Sequence, residues 1–198
     1  GVRLGGPYRV LGATNTGRID MSVGGGFVSV TGNLTQNAGS TGDISLNGGN
    51  LTVTGALSNR NTITLAGTSS LSVTLTTDNV GGAAQISSTG TGLQSYTGAV
   101  SNSGAITGAG LMTYSSTLSS TAGSVSSGGG GLVVVGDANF TGSTLNGYGA
   151  GAPNLSFQGN LTFGTLVQNG DVLVFSGGVN PQVLAPNAND FDNIVVNK

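Results

Sequence analysis

The chain has 198 residues and a formal charge of -2, with 38 Gly, no Cys, no His and no Trp, and only 6% charged residues. Soluble domains usually carry roughly 25% charge, so the polar surface must be made from Ser, Thr and Asn instead. Thiol and imidazole chemistry are excluded, and a charge this small steers the protein toward neither nucleic acid nor an anionic membrane.

Glycine costs about 0.8 to 1.0 kcal/mol inside a helix relative to Ala, and its density leaves few windows where a helix could form. Those windows alternate or contain proline. Thr68 to Val80 alternates apolar and polar side chains, and the closing stretch contains Pro181 and Pro186. The expectation is an all-β chain. No apolar run reaches the roughly 18 residues of a membrane helix, so no membrane span is expected.

In chain order, Val2-Arg3-Leu4 and Tyr8-Arg9-Val10-Leu11 read as the first strands. Period-two alternation then appears at Val28/Val30, Ile44/Leu46, Leu51/Val53, Ile63/Leu65 and Leu71/Val73/Leu75. It resumes at Val133/Val135, Leu155/Phe157, Leu161/Phe163, Val172/Val174 and Ile194/Val196.

Imperfect repetition organises these strands. Asp43-Ile44-Ser45-Leu46 aligns with Thr62-Ile63-Thr64-Leu65 at a step of 19, and Leu51-Thr52-Val53 aligns with Leu71-Ser72-Val73. Aligning Val28-Ser29-Val30 with Ile44-Ser45-Leu46 gives a step of 16. A period of 16 to 20 predicts a parallel β-helix (β-solenoid), with a β-sandwich as the alternative. About 19 residues per coil implies about ten coils and a rod near 50 Å long.

Residues 98–131 are Ser, Gly, Thr and Ala with sparse apolar side chains, and five of the six Phe residues follow Leu132. The expected organisation is a solenoid over 1–131, thin at 98–131, continued by a wider Phe-containing region over 132–198 that forms a capping or assembly end. Asn-Leu-Thr recurs at Asn33, Asn50 and Asn160, where Asn suits a left-handed corner. With Asn139 and Asn154 these also match the glycosylation acceptor pattern, although Asn-rich turns are the commoner cause.

The run Asn50-Leu51-Thr52-Val53-Thr54-Gly55-Ala56-Leu57 and the ending Phe191-Asp192-Asn193-Ile194-Val195-Val196-Asn197 resemble passenger regions of bacterial autotransporters and filamentous haemagglutinin-like adhesins. This resemblance is one of composition and period. It implies a parallel β-helix that is secreted, extracellular or at the cell surface.

Chemistry-bearing groups are sparse. Without His, Cys or Glu, acid-base work would fall to seven scattered Asp residues and four Tyr residues, which points away from an enzyme. Gly147-Tyr148-Gly149-Ala150-Gly151-Ala152 matches a dinucleotide-binding glycine pattern, but Pro153 excludes the required helix. No cofactor is expected. Asp190 and Asp192, among Asn187, Asn189 and Asn193, are weak candidates for a calcium ion, with an Asx-rich turn as the simpler account.

Thr52/Thr54, Thr62/Thr64 and Thr74/Thr76 place paired hydroxyls on neighbouring strands, which a surface glycan could meet. The function expected is a structural filament subunit, self-associating head-to-tail through terminal strands at Val2, Leu4, Val10, Leu11, Phe191, Ile194 and Val196. An adhesin or carbohydrate-binding segment of a larger surface protein is the alternative.

Overall fold

The computed structural model describes residues 2–3, 8–15, 18–21, 25–38, 42–149, 154–178, 183–185 and 191–197. Among them every regular element is a β-strand and every strand pairing is parallel, giving a β-solenoid of about eight turns. At roughly 4.8 Å per paired strand this is a rod about 40 Å long.

Each turn crosses three faces. The first face stacks Ile19–Met21, Ile44–Asn47, Thr62–Ala66, Gln85–Ser88, Ala105–Gly108, Ser124–Ser127, Thr144–Asn146 and Thr165–Val167. The second stacks Asn50–Val53, Ser70–Val73, Gln94–Tyr96, Met112–Tyr114, Leu132–Val134, Leu155–Phe157, Leu173–Ser176 and Ile194–Asn197. The third runs from Leu57–Asn59 to Leu184–Ala185. Two early strands, Tyr8–Asn15 and Phe27–Gln36, are long enough to cross from the second face to the third.

Alternation places one side chain in two inside, and successive turns put like on like. On the first face the inner column reads Ile44, Ile63, Ile86, Ile106, Val125, Leu145 and Leu166, all buried. Each such side chain contributes roughly 1.5 to 3 kcal/mol, while the backbone groups bond to the turns on either side.

The alignments of Ile44 with Ile63 and of Leu51 with Leu71 match the observed register. That of Val28 with Ile44 does not, because Val28 stacks on Leu51, one full turn further on, on the second face. The third face carries Leu34, Leu57, Thr77, Val100, Leu118, Ala138 and Leu161 in one column, and the sequence step along it is uneven. It is shortest from Val100 to Leu118 and longer everywhere else in the column. The typical turn thus exceeds the expected length, and there are fewer turns than the expected number. Extra residues sit in corners, where lengthening a loop costs little.

Three expected inner frames are shifted. Leu75 is 54% exposed because it occupies the corner position held by Gly55 one turn before and Gly98 one turn after. In the run after Gly131, Leu132 and Val134 point inward and Val135 is exposed. Leu173 and Phe175, rather than Val172 and Val174, fill the core.

Residues 98–131 carry strands in the same stack, with Val100, Ile106, Met112, Tyr114, Leu118 and Val125 buried. Tyr96 and Tyr114 stack at 4.8 Å between ring centroids and 12° between planes. Further along, Phe140 lies 6.3 Å from Phe157 and 6.5 Å from Phe163.

One core position is a misfit. Thr77 stands in the inner column between Leu57 and Val100, fully buried, and its hydroxyl has no partner. Thr77→Val keeps the shape and removes an unsatisfied group, so urea denaturation should show a gain of about 1 kcal/mol. A loss of stability would mean that the hydroxyl has a partner.

Candidate functional site

A ladder of buried side chains with dedicated polar partners lines the inside of the third face. Its strands end Leu57-Ser58-Asn59, Thr77-Asp78-Asn79 and Val100-Ser101-Asn102, with the outer middle residue flanked by inner neighbours. The carboxamides form a chain. Asn59 Nδ2 donates to Asn79 Oδ1 at 2.7 Å, Asn79 Nδ2 to Asn102 Oδ1 at 2.7 Å, and Asn102 Nδ2 to Ser120 Oγ at 2.9 Å.

Each amide also serves the adjacent corner. Asn59 Nδ2 reaches the carbonyls of Asn61 and Gln85, Asn79 Nδ2 those of Ala84 and Ala105, and Asn102 Nδ2 those of Gly104 and Ser124. The ladder thus adds a second donor to the carbonyls of Asn61, Ala84 and Gly104, which also accept from the backbone of the next turn, and ties them to the first residues of the first-face strands. After Ser120 the same column continues with Phe140 and Phe163, so polar corner fastening gives way to aromatic packing. Reading Asn only as a turn former conceals this role; the visible signal is Asn at the third place of strands that recur once per turn.

Two of the three Asn-Leu-Thr triplets, at Asn33 and Asn160, act differently from expectation. Asn33 Oδ1 accepts from Ala56 N at 2.9 Å, and Asn160 Oδ1 accepts from Val183 N at 2.9 Å. Asp137 Oδ1 does the same for Asn160 N at 2.8 Å. These side chains clip one turn to the next, and among described non-glycine residues only Asn169 has a left-handed φ, at 55°.

Tyr96 and Tyr114 have phenols held well above their ordinary range by burial, with the Tyr114 phenol a further cause at Tyr96, so both stay protonated. Tyr96 Oη donates to Gln94 Oε1 at 2.8 Å and Tyr114 Oη lies 3.9 Å from Met112 Sδ, both inside the core.

Of the two metal candidates, Asp190 lies outside the described residues, and Asp192 Oδ2 accepts from Gly170 N at 3.3 Å. No group of three His, Cys, Asp or Glu that could hold a metal ion occurs among the described residues. Asp171 is buried and accepts from Tyr148 N at 2.7 Å and Gly149 N at 3.0 Å, so the glycine-rich turn binds a carboxylate of its own chain. Ala150 to Ala152 lie outside the described residues.

The expected assembly residues fall at the two ends. Val2 pairs with Ile19, Val10 with Val30 and Leu11 with Thr31, and Leu11 is 88% exposed. Leu4 lies outside the described residues. Phe191 precedes the last strand and packs on Phe163 at 5.9 Å.

Ile194 and Val196 continue the inner columns of Leu173 and Phe175 yet are 43% and 66% exposed, where their predecessors are buried. Among the described residues, Ile194–Asn197 pairs with Leu173–Ser176 alone. No protein-family model, curated protein or solved structure matches the chain.

The hydroxyl pairs also differ from expectation. Thr62 and Thr64 lie on the first face, whereas Thr52 lies on the second, so they are not neighbours in one ladder. A longer array covers the second face: Ser29/Thr31, Thr52/Thr54, Ser72/Thr74, Ser95/Thr97 and Thr113/Ser115, on five successive turns.

Proposed function

We propose that this chain is a structural subunit of an extracellular filament, extended head-to-tail by strand addition at the ends of its solenoid. The observation that carries the reading is the exposure, among the described residues, of apolar side chains that continue buried columns. Ile194 and Val196 are the next members of buried columns, and the far-side backbone groups of Ile194–Asn197 have no strand beside them among the described residues. Such an edge is a template for another strand, and parallel addition would bury both side chains.

The surface suits this role. Stacked outward positions such as Ser58, Asp78, Ser101, Ser119 and Asn139 place no like charges over one another. A long rod therefore accumulates no repulsive ladder as it grows.

Light scattering and negative-stain electron microscopy at rising concentration test the reading. The expected result is rods of constant width whose length increases. A stable monomer at high concentration would count against it.

A second reading, an adhesin segment that contacts a glycan, draws on the hydroxyl array of the second face. Co-sedimentation with insoluble polysaccharides, lost on Thr52→Val with Ser72→Val, would favour it; no co-sedimentation would dismiss it.

A further inference from the structure

We infer that the second face binds ice, its outward hydroxyls holding a layer of water in the lattice of the crystal surface. This goes beyond the filament reading and gives the hydroxyl array a ligand other than a glycan. The array runs from Ser29/Thr31 to Thr113/Ser115, two hydroxyl residues on each of five successive turns. Its second column, Thr31, Thr54, Thr74, Thr97 and Ser115, is exposed throughout. The backbone ladder continues beneath that column, with the amides of Thr54, Thr74, Thr97 and Ser115 donating to the carbonyls of Val30, Val53, Val73 and Tyr96 on the turn before.

Spacing selects the ligand. Residues of one column stand roughly 4.8 Å apart along the rod, and alternate residues of one strand stand about 6.7 Å apart. The oxygens on a prism face of ice repeat in two perpendicular directions at distances close to these. An aromatic face, the usual platform for a sugar ring, is absent from both columns.

Rigidity and charge agree with this choice. A template must hold its oxygens still, and the middle strands of the array are bonded to a turn on either side, with Val53, Val73 and Tyr96 fully buried beneath. Thr is stiff at χ1, so a stacked column of Thr keeps its hydroxyls and methyls in step. Thr54 Oγ1 is fixed further, accepting from Gly32 N at 3.0 Å and donating to Val30 O at 3.4 Å.

A charged side chain would order water in a shell of its own, and residues 27–31, 50–54, 70–74, 93–97 and 111–115 include none. The other faces lack this uniformity, since Asp20 stands among the outward residues of the first and Asp78 among those of the third. Beyond Ser115 the array stops, and Val133 and Val135 take the next places.

Ice recrystallisation tests the inference, with the whole chain dilute enough to remain dispersed so that filament growth does not enter the result. Crystals should coarsen several-fold more slowly than with an inert protein at equal mass concentration. Ser72→Lys should restore the coarsening rate of the inert protein, whereas Ser87→Lys, outward on the first face, should leave inhibition intact. Ser72→Thr with Ser95→Thr should strengthen inhibition, because threonine then runs unbroken from Thr52 to Thr113.

Thermal midpoints check that both lysine variants are folded, and the double threonine variant carries the test if either is not. Coarsening as fast as with the inert protein, or equal losses from Ser72→Lys and Ser87→Lys, would overturn the inference. So would binding to an insoluble polysaccharide that Ser72→Lys abolishes in a protein without effect on ice, which would assign the face to a glycan. Each of these results leaves the filament reading standing.

Discussion

Asn79→Ala should unfold this solenoid at markedly lower urea, with a loss of roughly 3 kcal/mol or more. The side chain is fully buried, pairs with the carboxamides of Asn59 and Asn102 and donates to the Ala105 carbonyl, while the Ala84 carbonyl it also reaches keeps Ala105 N as a donor. Each buried polar group left without a partner costs about 1 to 3 kcal/mol, and a chain of such groups loses more than its separate members. Asn59 keeps two of its acceptors, the carbonyls of Asn61 and Gln85, so the damage centres on one corner and its neighbour.

The adjacent residue is the control. Asp78 is exposed on the same strand, and Asp78→Ser should stay within about 0.5 kcal/mol. Equal effects at the two sites would mean that the amide ladder does not hold the corners.

Gly92→Ala should be of similar severity for a different reason. A Cβ there would run into the Ser69 carbonyl and stand 2.8 Å from the Thr68 carbonyl oxygen, both backbone of the previous turn. Neither can move without opening the ladder between two turns, and overpacking of this kind costs about 3 kcal/mol or prevents folding. At Gly82 a Cβ would meet nothing within 4 Å. Gly82→Ala should therefore be neutral, or stabilising by about 0.4 to 1 kcal/mol through the unfolded chain. Thermal midpoints of the two variants would read the contrast, and a tolerant Gly92 would refute the close stacking of that corner.

The solenoid is legible in the sequence because its inner columns are built from strands in which apolar and polar residues strictly alternate. Ile44/Leu46 and Ile63/Leu65 have one possible inward frame, and it is the observed one. Leu132-Val133-Val134-Val135 and Val172-Leu173-Val174-Phe175 have two, because every position is apolar and a period of two has no preferred phase. Only stacking on the neighbouring turns selects Leu132/Val134 and Leu173/Phe175.

Turn length is concealed for a related reason. Corners absorb insertions at little cost, so Val28 finds an equally good sequence match at Ile44, although its spatial neighbour is Leu51. The amide ladder is hidden by chemistry. Asn at a strand end is locally indistinguishable from a turn former, and its carboxamide chain becomes visible only when Asn59, Asn79 and Asn102 stand above one another.

The proposed assembly follows the same logic, since among the described residues Ile194 and Val196 continue buried columns while remaining exposed themselves. Hydrogen exchange read amide by amide, on the dispersed protein and on the assembled one, tests this most directly. The account predicts that amides in 194–197 and 8–15 become protected on assembly while those in the middle of the rod are unchanged. Assembly that leaves both edge strands exchanging as freely as before would contradict it.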